Sequence, residues 1–329
     1  MSVPSLPVGI EAVLAAQARI AGQVMRTSLR HSASLSQPGA PVHLKLETRQ
    51  PTGSFKLRGA TNAVRALDAA ARVRGLVTAS TGNHGRALAH AARAQGVRAV
   101  VCMSEMVPPN KVAAVDALGA EIRIVGRSQD DAQAEVVRLV REEGLTEVPP
   151  FDATAVIAGQ GTLGLEIIAD LPDVGLVLVP LSGGGLASGV AIAVKGLRPQ
   201  VRVIGISMAR GAAMSASLAA GRPTPVEELE TLADSLGGGI GLDNRYTFAL
   251  CRALLDDVIL LSEDEIAAGI RHAFLVEGEV VEGAGAVGIA ALLAGKVRPD
   301  VPTAIVVSGA NIDEALHRRI VAAPQRGAA

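Results

Sequence analysis

The chain alternates short apolar runs with longer alanine-rich stretches in which apolar residues recur at helical spacing. Short apolar runs predict strands covered on both faces, and the alanine-rich stretches predict helices. Strands are expected at Gly75–Ser80, Val97–Met103, Glu121–Val125, Leu176–Leu181, Val201–Ile206 and Thr303–Ser308. Helices are expected at Arg86–Gln95, Asn110–Leu118, Ser128–Glu143, Glu263–Leu275 and Ala284–Ala294. This alternation favours an α/β fold in which parallel strands lie between helices.

A break in the alternation indicates the domain organisation. Three strand and helix units follow one another between Arg74 and about Val148, and Pro149-Pro150 then interrupts the pattern. We therefore predict a small α/β domain at residues 73–152 and a discontinuous large domain at residues 1–72 and 153–329.

One segment, Gly175–Val194, carries no charge and is long enough to suggest a membrane span. Pro180 and the sequence Ser182-Gly183-Gly184-Gly185 would break a lipid-exposed helix. The segment therefore predicts a buried strand, a glycine loop and a helix.

Composition and charge exclude several classes of function. Of the 329 residues, 49% are apolar but only 2% are aromatic, so the core must consist of Ala, Val, Leu and Ile. The 31 Lys and Arg nearly balance the 32 Asp and Glu without a basic block, so nucleic acid is not an expected partner. Cys102 and Cys251 lack C-x-x-C spacing, and the first residues lack the basic start of a signal peptide. A cytoplasmic protein without a membrane segment is expected.

Lys56 stands in the sequence ETRQPTGSFKLRGA, residues 47–60. An amine that forms a Schiff base must sometimes be neutral, and the apolar neighbours Phe55 and Leu57 favour a lowered pKa through desolvation. Lys56 is therefore a candidate covalent anchor. A solvated lysine beside Arg58 is the commoner explanation of such a tripeptide.

A polar loop, Ser80-Thr81-Gly82-Asn83-His84-Gly85, is expected between a strand and a helix. Amide groups at a helix N-terminus suit a carboxylate or phosphate, although an ordinary N-cap turn explains the same residues. His84 and His90 are six positions apart, which is not the spacing of a helical metal pair, so no metal site is predicted from them.

Two further loops follow predicted strands. Ser182-Gly183-Gly184-Gly185-Leu186 opens a predicted helix, and its consecutive amides predict a phosphate cradle, with a flexible turn as the alternative. The loop matches neither the P-loop nor the dinucleotide fingerprint, so neither ATP nor NAD is favoured. The last predicted strand ends in Ser308-Gly309-Ala310-Asn311, where a hydroxyl can hydrogen-bond an aromatic nitrogen without enforcing its protonation.

Together these motifs resemble the fold-type II pyridoxal-phosphate enzymes of the threonine/serine dehydratase and serine racemase group, from Thr27 to Asp313. The resemblance implies a tryptophan synthase β-like architecture: two three-layer α/β/α lobes with mostly parallel sheets, the larger binding pyridoxal 5'-phosphate. It implies a homodimer, and catalytic roles for Lys56, which would form the Schiff base, and for Thr81. The implied cofactor contacts are Phe55, Lys56, Asn83, Gly183, Gly184, Gly185, Leu186 and Ser308. The implied substrate contacts are Ser80, Thr81, Gly82, His84 and Gly238.

The chemistry that the resemblance implies is elimination from a small-molecule amino acid with a β-hydroxyl group. The freed Lys56 amine would remove the α-proton, the hydroxyl would leave, and a keto acid and ammonia would be released. Threonine and serine are expected substrates. The stretch Met208–Asn244 is also similar to the hydroxyectoine-utilisation dehydratases, which makes a 3-hydroxylated diaminobutyrate compound a further expected substrate.

Alternatives remain open at this level. Racemases of the group carry serine where this chain has Thr81, which keeps a hydroxyl group, so racemisation is the second expectation. A β-replacement synthase and a cofactor-binding protein without lyase activity are others. Many relatives carry an acidic metal ligand where this chain has Ser207-Met208-Ala209-Arg210, so no metal is expected.

Overall fold

The computed structural model describes residues 6–80, 82–107 and 109–323. Thr81 lies outside the described residues, so its predicted role receives no structural account. The helices are α1 (Ile10–Ile20), α2 (Lys56–Arg65), α3 (Ala69–Arg74), α4 (Asn83–Ala94), α5 (Pro109–Asp116), α6 (Gln129–Glu143), α7 (Thr154–Asp170), α8 (Gly185–Leu197), α9 (Ala213–Ala220), α10 (Thr247–Leu254), α11 (Glu263–Leu275), α12 (Gly283–Leu293) and α13 (Glu314–Ala322). The strands are β1 (Leu29–Gln37), β2 (Ala40–Leu46), β3 (Leu76–Ala79), β4 (Ala99–Met103), β5 (Glu121–Ile124), β6 (Thr146–Glu147), β7 (Leu176–Pro180), β8 (Arg202–Met208), β9 (Asp257–Leu261) and β10 (Thr303–Val307).

The strands form two sheets. The larger has the order β1-β2-β10-β7-β8-β9 and the smaller the order β5-β4-β3-β6. Only the β1–β2 pair is antiparallel among the paired strands of the described chain. The predicted α/β class with mostly parallel sheets is therefore confirmed.

Helices cover both faces of each sheet. One face of the larger sheet packs against α11 and α12, and the other packs against α7 and α8. In the smaller sheet, α4 and α6 lie on opposite faces. The smaller sheet is built from residues 76–147, inside the predicted small domain. The boundaries at residues 73 and 152 stay a prediction.

The two best-marked helix starts carry complete capping boxes. Ser128 and Asp131 exchange side-chain to backbone hydrogen bonds at the start of α6, and Ser262 and Glu265 do so at α11. Because this pairing satisfies amides that no helical carbonyl can reach, both helices begin within one residue of the positions that the sequence predicts.

Helix α7 was not expected because its sequence is largely apolar without a clear polar face and contains three glycines. The structure gives those glycines a packing function. A Cβ atom on Gly159 would lie 2.6 Å from the Cα of Gly59 in α2, and one on Gly161 would lie 2.7 Å from the carbonyl oxygen of Gly189 in α8. The glycines thus allow α7 to lie very close to both helices, and α2 carries Lys56.

Three loops follow carboxyl ends of parallel strands, β3 in the smaller sheet and β7 and β10 in the larger one. They begin at Ser80, Leu181 and Ser308. Carboxyl ends of strands are the positions at which open α/β sheets bind ligands. A hydrogen bond from Asn311 to Asn83 joins the loop after β10 to the start of α4, which follows the loop after β3.

Candidate active site

Lys56 is the first residue of α2, with Phe55 at the N-cap, and not part of an irregular turn. Its Nζ donates a hydrogen bond of 2.6 Å to the carbonyl oxygen of Pro150 and lies 5.3 Å from the centre of the Phe55 ring. Burial lowers the pKa of Lys56 to about 8, and the carboxyl group of Glu282 opposes that shift. A neutral amine is therefore accessible close to neutral pH, as a Schiff-base lysine requires.

Backbone hydrogen bonds hold the end of β10 against residues 53–55, which immediately precede this lysine. The amide of Phe55 donates to the carbonyl oxygen of Ser308 at 3.0 Å, and the amide of Ala310 donates to that of Gly53 at 2.9 Å. Ser54 and Gly309 form an antiparallel bridge between the two segments. Ser308 is buried, with 1% of its surface exposed, and lies opposite Phe55 in this backbone pairing.

The glycine loop after β7 is packed too tightly for any side chain. A Cβ atom on Gly183 would lie 2.4 Å from the ring of Phe151, and one on Gly185 would lie 2.9 Å from the Cα of Phe151. Gly184 has a φ of +89°, which favours glycine, and a Cβ there would lie 2.9 Å from the Sγ of Cys251.

The amides of this loop are available to a ligand. Within the described chain, no hydrogen-bond acceptor is found for the amides of Gly183, Gly184, Gly185 and Leu186. The first amides of α8 also lie at the positive end of its dipole. An unpaired row of N–H groups behind glycines fits a phosphate group, so these residues match the cofactor that the motifs predict.

Asn83 begins α4 and is buried. Its Nδ2 donates to the Oε1 of Glu282 at 2.8 Å, and its Oδ1 accepts from the Nδ2 of Asn311. The loop that leads to Asn83 is tight as well, because a Cβ on Gly85 would lie 2.3 Å from the carbonyl oxygen of Ser80. Gly82, by contrast, faces open space.

His84 is buried and its Nε2 lies 2.8 Å from the carbonyl oxygen of Val148. Burial lowers the pKa of His84 to about 3, and the charge of Lys56 acts in the same direction. A neutral imidazole that donates from Nε2 has an unprotonated Nδ1, and this atom is buried without a partner. At a substrate, His84 would therefore accept a hydrogen bond and not supply a positive charge.

Glu282 is an acidic residue to which the sequence assigned no role. It precedes α12, its amide donates to the carbonyl oxygen of Gly309 at 3.1 Å, and its Oε2 is buried without a partner. Burial raises the pKa of Glu282 to about 7, and the charge of Asp234 adds to this rise. A glutamate at the start of an apolar helix is the sequence signal that could have found it.

A second segment that the sequence did not identify is Pro150-Phe151-Asp152. Pro150 accepts the hydrogen bond from Lys56, and Phe151 packs behind the glycine loop. Asp152 accepts hydrogen bonds from three successive amides at the start of α10, residues 245–247. The segment therefore ties the lysine, the glycine loop and α10 together.

Gly238 lies in the loop between a 3-10 turn at Asp234–Leu236 and α10. Its φ is +91° and a Cβ there would meet nothing within 4 Å, so the position borders open space.

No group of three or more His, Cys, Asp or Glu side chains in the described ranges could hold a metal ion. No helix within those ranges has the length and apolar character of a membrane span.

Comparison with known proteins identifies close relatives of the chain. A Sinorhizobium fredii protein whose threonine dehydratase assignment is itself provisional is 60% identical over 95% of both chains. An L-threonine ammonia-lyase of Thermotoga maritima is 41% identical over 95% of this chain and 78% of the relative.

Solved structures give the same result. Maize serine racemase superposes with a TM-score of 0.89 at 33% identity, covering 95% of this chain and 96% of the other. The processed form of threonine deaminase isoform 2 from Solanum lycopersicum superposes with a TM-score of 0.86 at 32% identity, covering 97% of both chains.

A family model described as "Pyridoxal-phosphate dependent enzyme" matches residues 20–309. The predicted family, fold type, enzyme class and cofactor are thereby confirmed. The chain belongs to the family of pyridoxal-phosphate-dependent enzymes.

Proposed function

We propose that this chain is a pyridoxal-phosphate-dependent ammonia-lyase that eliminates water from a β-hydroxy α-amino acid. The observation that carries the proposal is the Lys56 amine, whose pKa is lowered to about 8 where the loops after β3, β7 and β10 meet. The names of the relatives, threonine dehydratases and ammonia-lyases, support the same reaction class.

Residues of the three loops would hold the cofactor. The amides of Gly183, Gly184, Gly185 and Leu186 would bind its phosphate group, and Lys56 would form the Schiff base. Asn83 would bind the ring hydroxyl, Ser308 would face the ring nitrogen, and Phe55 would lie beside the ring. Bound pyridoxal phosphate supplies an electron-withdrawing ring that accepts the negative charge left when a proton leaves Cα.

The protein would carry the proton transfer. With the substrate amino group held by the cofactor, the neutral Nζ of Lys56 would take the proton from Cα of the substrate. In the net reaction this proton and the β-hydroxyl would leave together as water. The unsaturated amine that remains adds water and yields a 2-oxo acid and ammonia.

The substrate class is proposed from the chemistry of this site. A substrate needs an α-amino group, an α-proton and a β-hydroxyl, which L-threonine, L-serine and a 3-hydroxylated diaminobutyrate compound from hydroxyectoine all have. We propose Ser80, Thr81, Gly82, His84 and Gly238 as substrate contacts, and the effect of the Lys56 charge on the pKa of His84 supports a place for His84 near the lysine.

The test begins with an absorption spectrum of the purified protein after pyridoxal phosphate is added. Each of the three candidate substrates is then added separately, and the release of 2-oxo acid and ammonia is measured. A near-visible band that changes with one substrate, with both products released, supports the lyase. Product release that requires sulfide would identify a replacement synthase. Inverted substrate without ammonia would identify a racemase and overturn the elimination.

We further propose that the protein is a cytoplasmic homodimer. An apolar surface group next to the edge strand β1 supports self-association: Phe274, Leu275 and Val276 are 41%, 63% and 57% exposed. The two cysteines are buried and not bonded to each other, which suits a reducing compartment. Light scattering during gel filtration would measure the mass, and a monomer at micromolar concentration would refute the dimer.

A further inference from the structure

Four polar side chains form a continuous chain of hydrogen bonds from the edge of the cleft to its interior. The Nη1 of Arg86 donates to the Oδ1 of Asn311 at 2.7 Å. The Nδ2 of Asn311 donates to the Oδ1 of Asn83, and the Nδ2 of Asn83 donates to the Oε1 of Glu282 at 2.8 Å. The residues come from α4, the loop after β10 and the start of α12, so only the tertiary fold brings them together.

The direction of this chain is fixed by its ends. A guanidinium group can only donate, so the oxygen of the Asn311 amide must face Arg86. The nitrogen of Asn311 then faces Asn83 and also donates at 2.9 Å to the carbonyl oxygen of Thr52, which can only accept. Both contacts require the same orientation of Asn311, and that orientation requires the oxygen of Asn83 to accept.

It follows that the nitrogen of Asn83 must face the interior. One of its two N–H groups reaches Glu282, and the second remains available to an acceptor in the site. Glu282 accepts in either protonation state, because a proton placed on its unpartnered Oε2 leaves Oε1 free to accept.

We propose that Arg86 and Asn311 are positioning residues that present an N–H group of Asn83 to the ring hydroxyl of the bound cofactor. This inference rests on the proposed function. It adds to that function two residues that do not touch the reacting atoms. It also explains why the side-chain amide of Asn83 cannot flip and exchange the positions of its oxygen and nitrogen.

The sharpest variant is Asn311→Asp, because it keeps the shape and the contact with Arg86 but removes the donor. The new carboxylate would face the oxygen of Asn83, and two acceptors repel each other. The side-chain amide of Asn83 would therefore flip and place its oxygen toward Glu282. Adding Glu282→Gln supplies a donor for that reversed amide. The double variant therefore restores the pairing among residues 311, 83 and 282 in the inverted direction, while the carbonyl oxygen of Thr52 loses its donor in both variants.

The experiment measures cofactor affinity, the near-visible absorption band and the thermal unfolding of the cofactor-free protein for each variant. We expect Asn311→Asp to lower the melting temperature and to raise the Kd for pyridoxal phosphate about tenfold or more. We expect the double variant to recover part of the melting temperature but neither the affinity nor the position of the band. Arg86→Met should change the melting temperature, the Kd and the absorption band in the same direction as Asn311→Asp but by a smaller amount, since the carbonyl oxygen of Thr52 still holds Asn311.

Arg93→Met is the matched control, because Arg93 lies on the same helix, is exposed and donates only to the carbonyl oxygen of Ala117. Unchanged cofactor affinity in Asn311→Asp, or a double variant that recovers affinity together with stability, would overturn the positioning role. A wild-type protein that takes up no pyridoxal phosphate would refute the proposed function as well. The two failures are therefore distinguishable.

Discussion

At the scale of single residues, burial places two titratable groups of opposite charge near neutrality. Lys56 loses hydration at the start of α2 and has a pKa of about 8, while Glu282 loses it at the start of α12 and has a pKa of about 7. Each opposes the other's shift, so desolvation outweighs their mutual attraction. Both groups can therefore exchange a proton in the pH range of an enzyme at work.

Replacing Lys56 tests the covalent anchor. Lys56→Ala and Lys56→Arg should both lose the near-visible band of the lysine-bound cofactor, and elimination should fall by about a thousandfold or more, since an acid–base group is removed. The band and the release of 2-oxo acid are measured on the same preparations. Lys296→Ala, at an exposed lysine that pairs with Glu265, is the control. Wild-type turnover in Lys56→Ala would refute the anchor.

Glu282 predicts a pH dependence of stability in the cofactor-free protein. Its pKa is raised from 4.5 to about 7, so between these values the folded state binds a proton that the unfolded state does not. This contribution is complete below pH 4.5 and is lost as pH rises to 7. In total it is on the order of 3 kcal/mol.

Glu282→Gln removes this titration. The difference in unfolding free energy between wild type and variant should shift against the wild type by that amount from pH 4.5 to 7, measured by denaturant titration at each pH. Glu105→Gln, at an exposed glutamate, should show no such trend. A constant difference for Glu282→Gln would contradict the raised pKa.

At the scale of elements, the glycine loop and the segment from Pro150 to Asp152 work as one unit. Phe151 lies against the positions where Gly183 and Gly185 would carry a Cβ, and Asp152 fixes the start of α10. The same segment accepts the hydrogen bond of Lys56 through Pro150. Loop, helix starts and lysine therefore keep their relative positions.

Gly183→Ala tests this packing. The added methyl would overlap the Phe151 ring, so the loop must shift, and we expect the Kd for pyridoxal phosphate to rise about tenfold. Phe151→Ala removes the obstacle, and Gly183→Ala should then add little in the Phe151→Ala background. Cofactor titration of the four proteins completes the double-mutant cycle. Purely additive effects would show that the ring is not what excludes the side chain.

At the scale of the whole molecule, a buried ionic cluster joins β2, α2 and α7. Arg58 donates to Glu47 and to Glu166 at 2.7–2.8 Å, and Lys45 donates to Glu166 at 2.6 Å. Arg58, Lys45 and Glu47 are fully buried. Because Arg58 lies two residues after Lys56, the cluster anchors α2, the helix that carries Lys56, to the larger sheet and to α7.

Arg58→Met should cost about 3–5 kcal/mol of unfolding free energy, because the buried carboxylates of Glu47 and Glu166 lose the guanidinium group that pairs with both. Denaturant unfolding of the cofactor-free protein measures the loss. Arg98→Met, which breaks exposed ion pairs with Glu121 and Glu143, should cost much less. Equal losses in the two variants would show that burial of the cluster contributes nothing.

The sequence by itself determined the elements whose pattern is local. Apolar runs located the strands that became β3, β4, β7, β8 and β10, because a run covered on both faces needs no polar side. The strand that became β5 was also predicted, although it is partly exposed. Helical spacing of apolar residues located α6 and α11, and their capping boxes, which act within one turn, fix where both helices begin. The three loop motifs could also be predicted from the sequence, because the strand, the glycines and the helix that form each motif follow one another along the chain.

Only the tertiary structure decided what depends on distant residues. The largely apolar α7 was hidden because a glycine such as Gly159 is unfavourable in a helix until another helix packs against it. The β1–β2 pair was hidden because β1 has few buried positions and thus no clear alternation. The surroundings that set the pKa of Lys56 include Pro150 and Glu282, which are 94 and 226 positions away in the chain. Desolvation and hydrogen-bond direction are properties of a packed site, so no stretch of sequence specifies them alone.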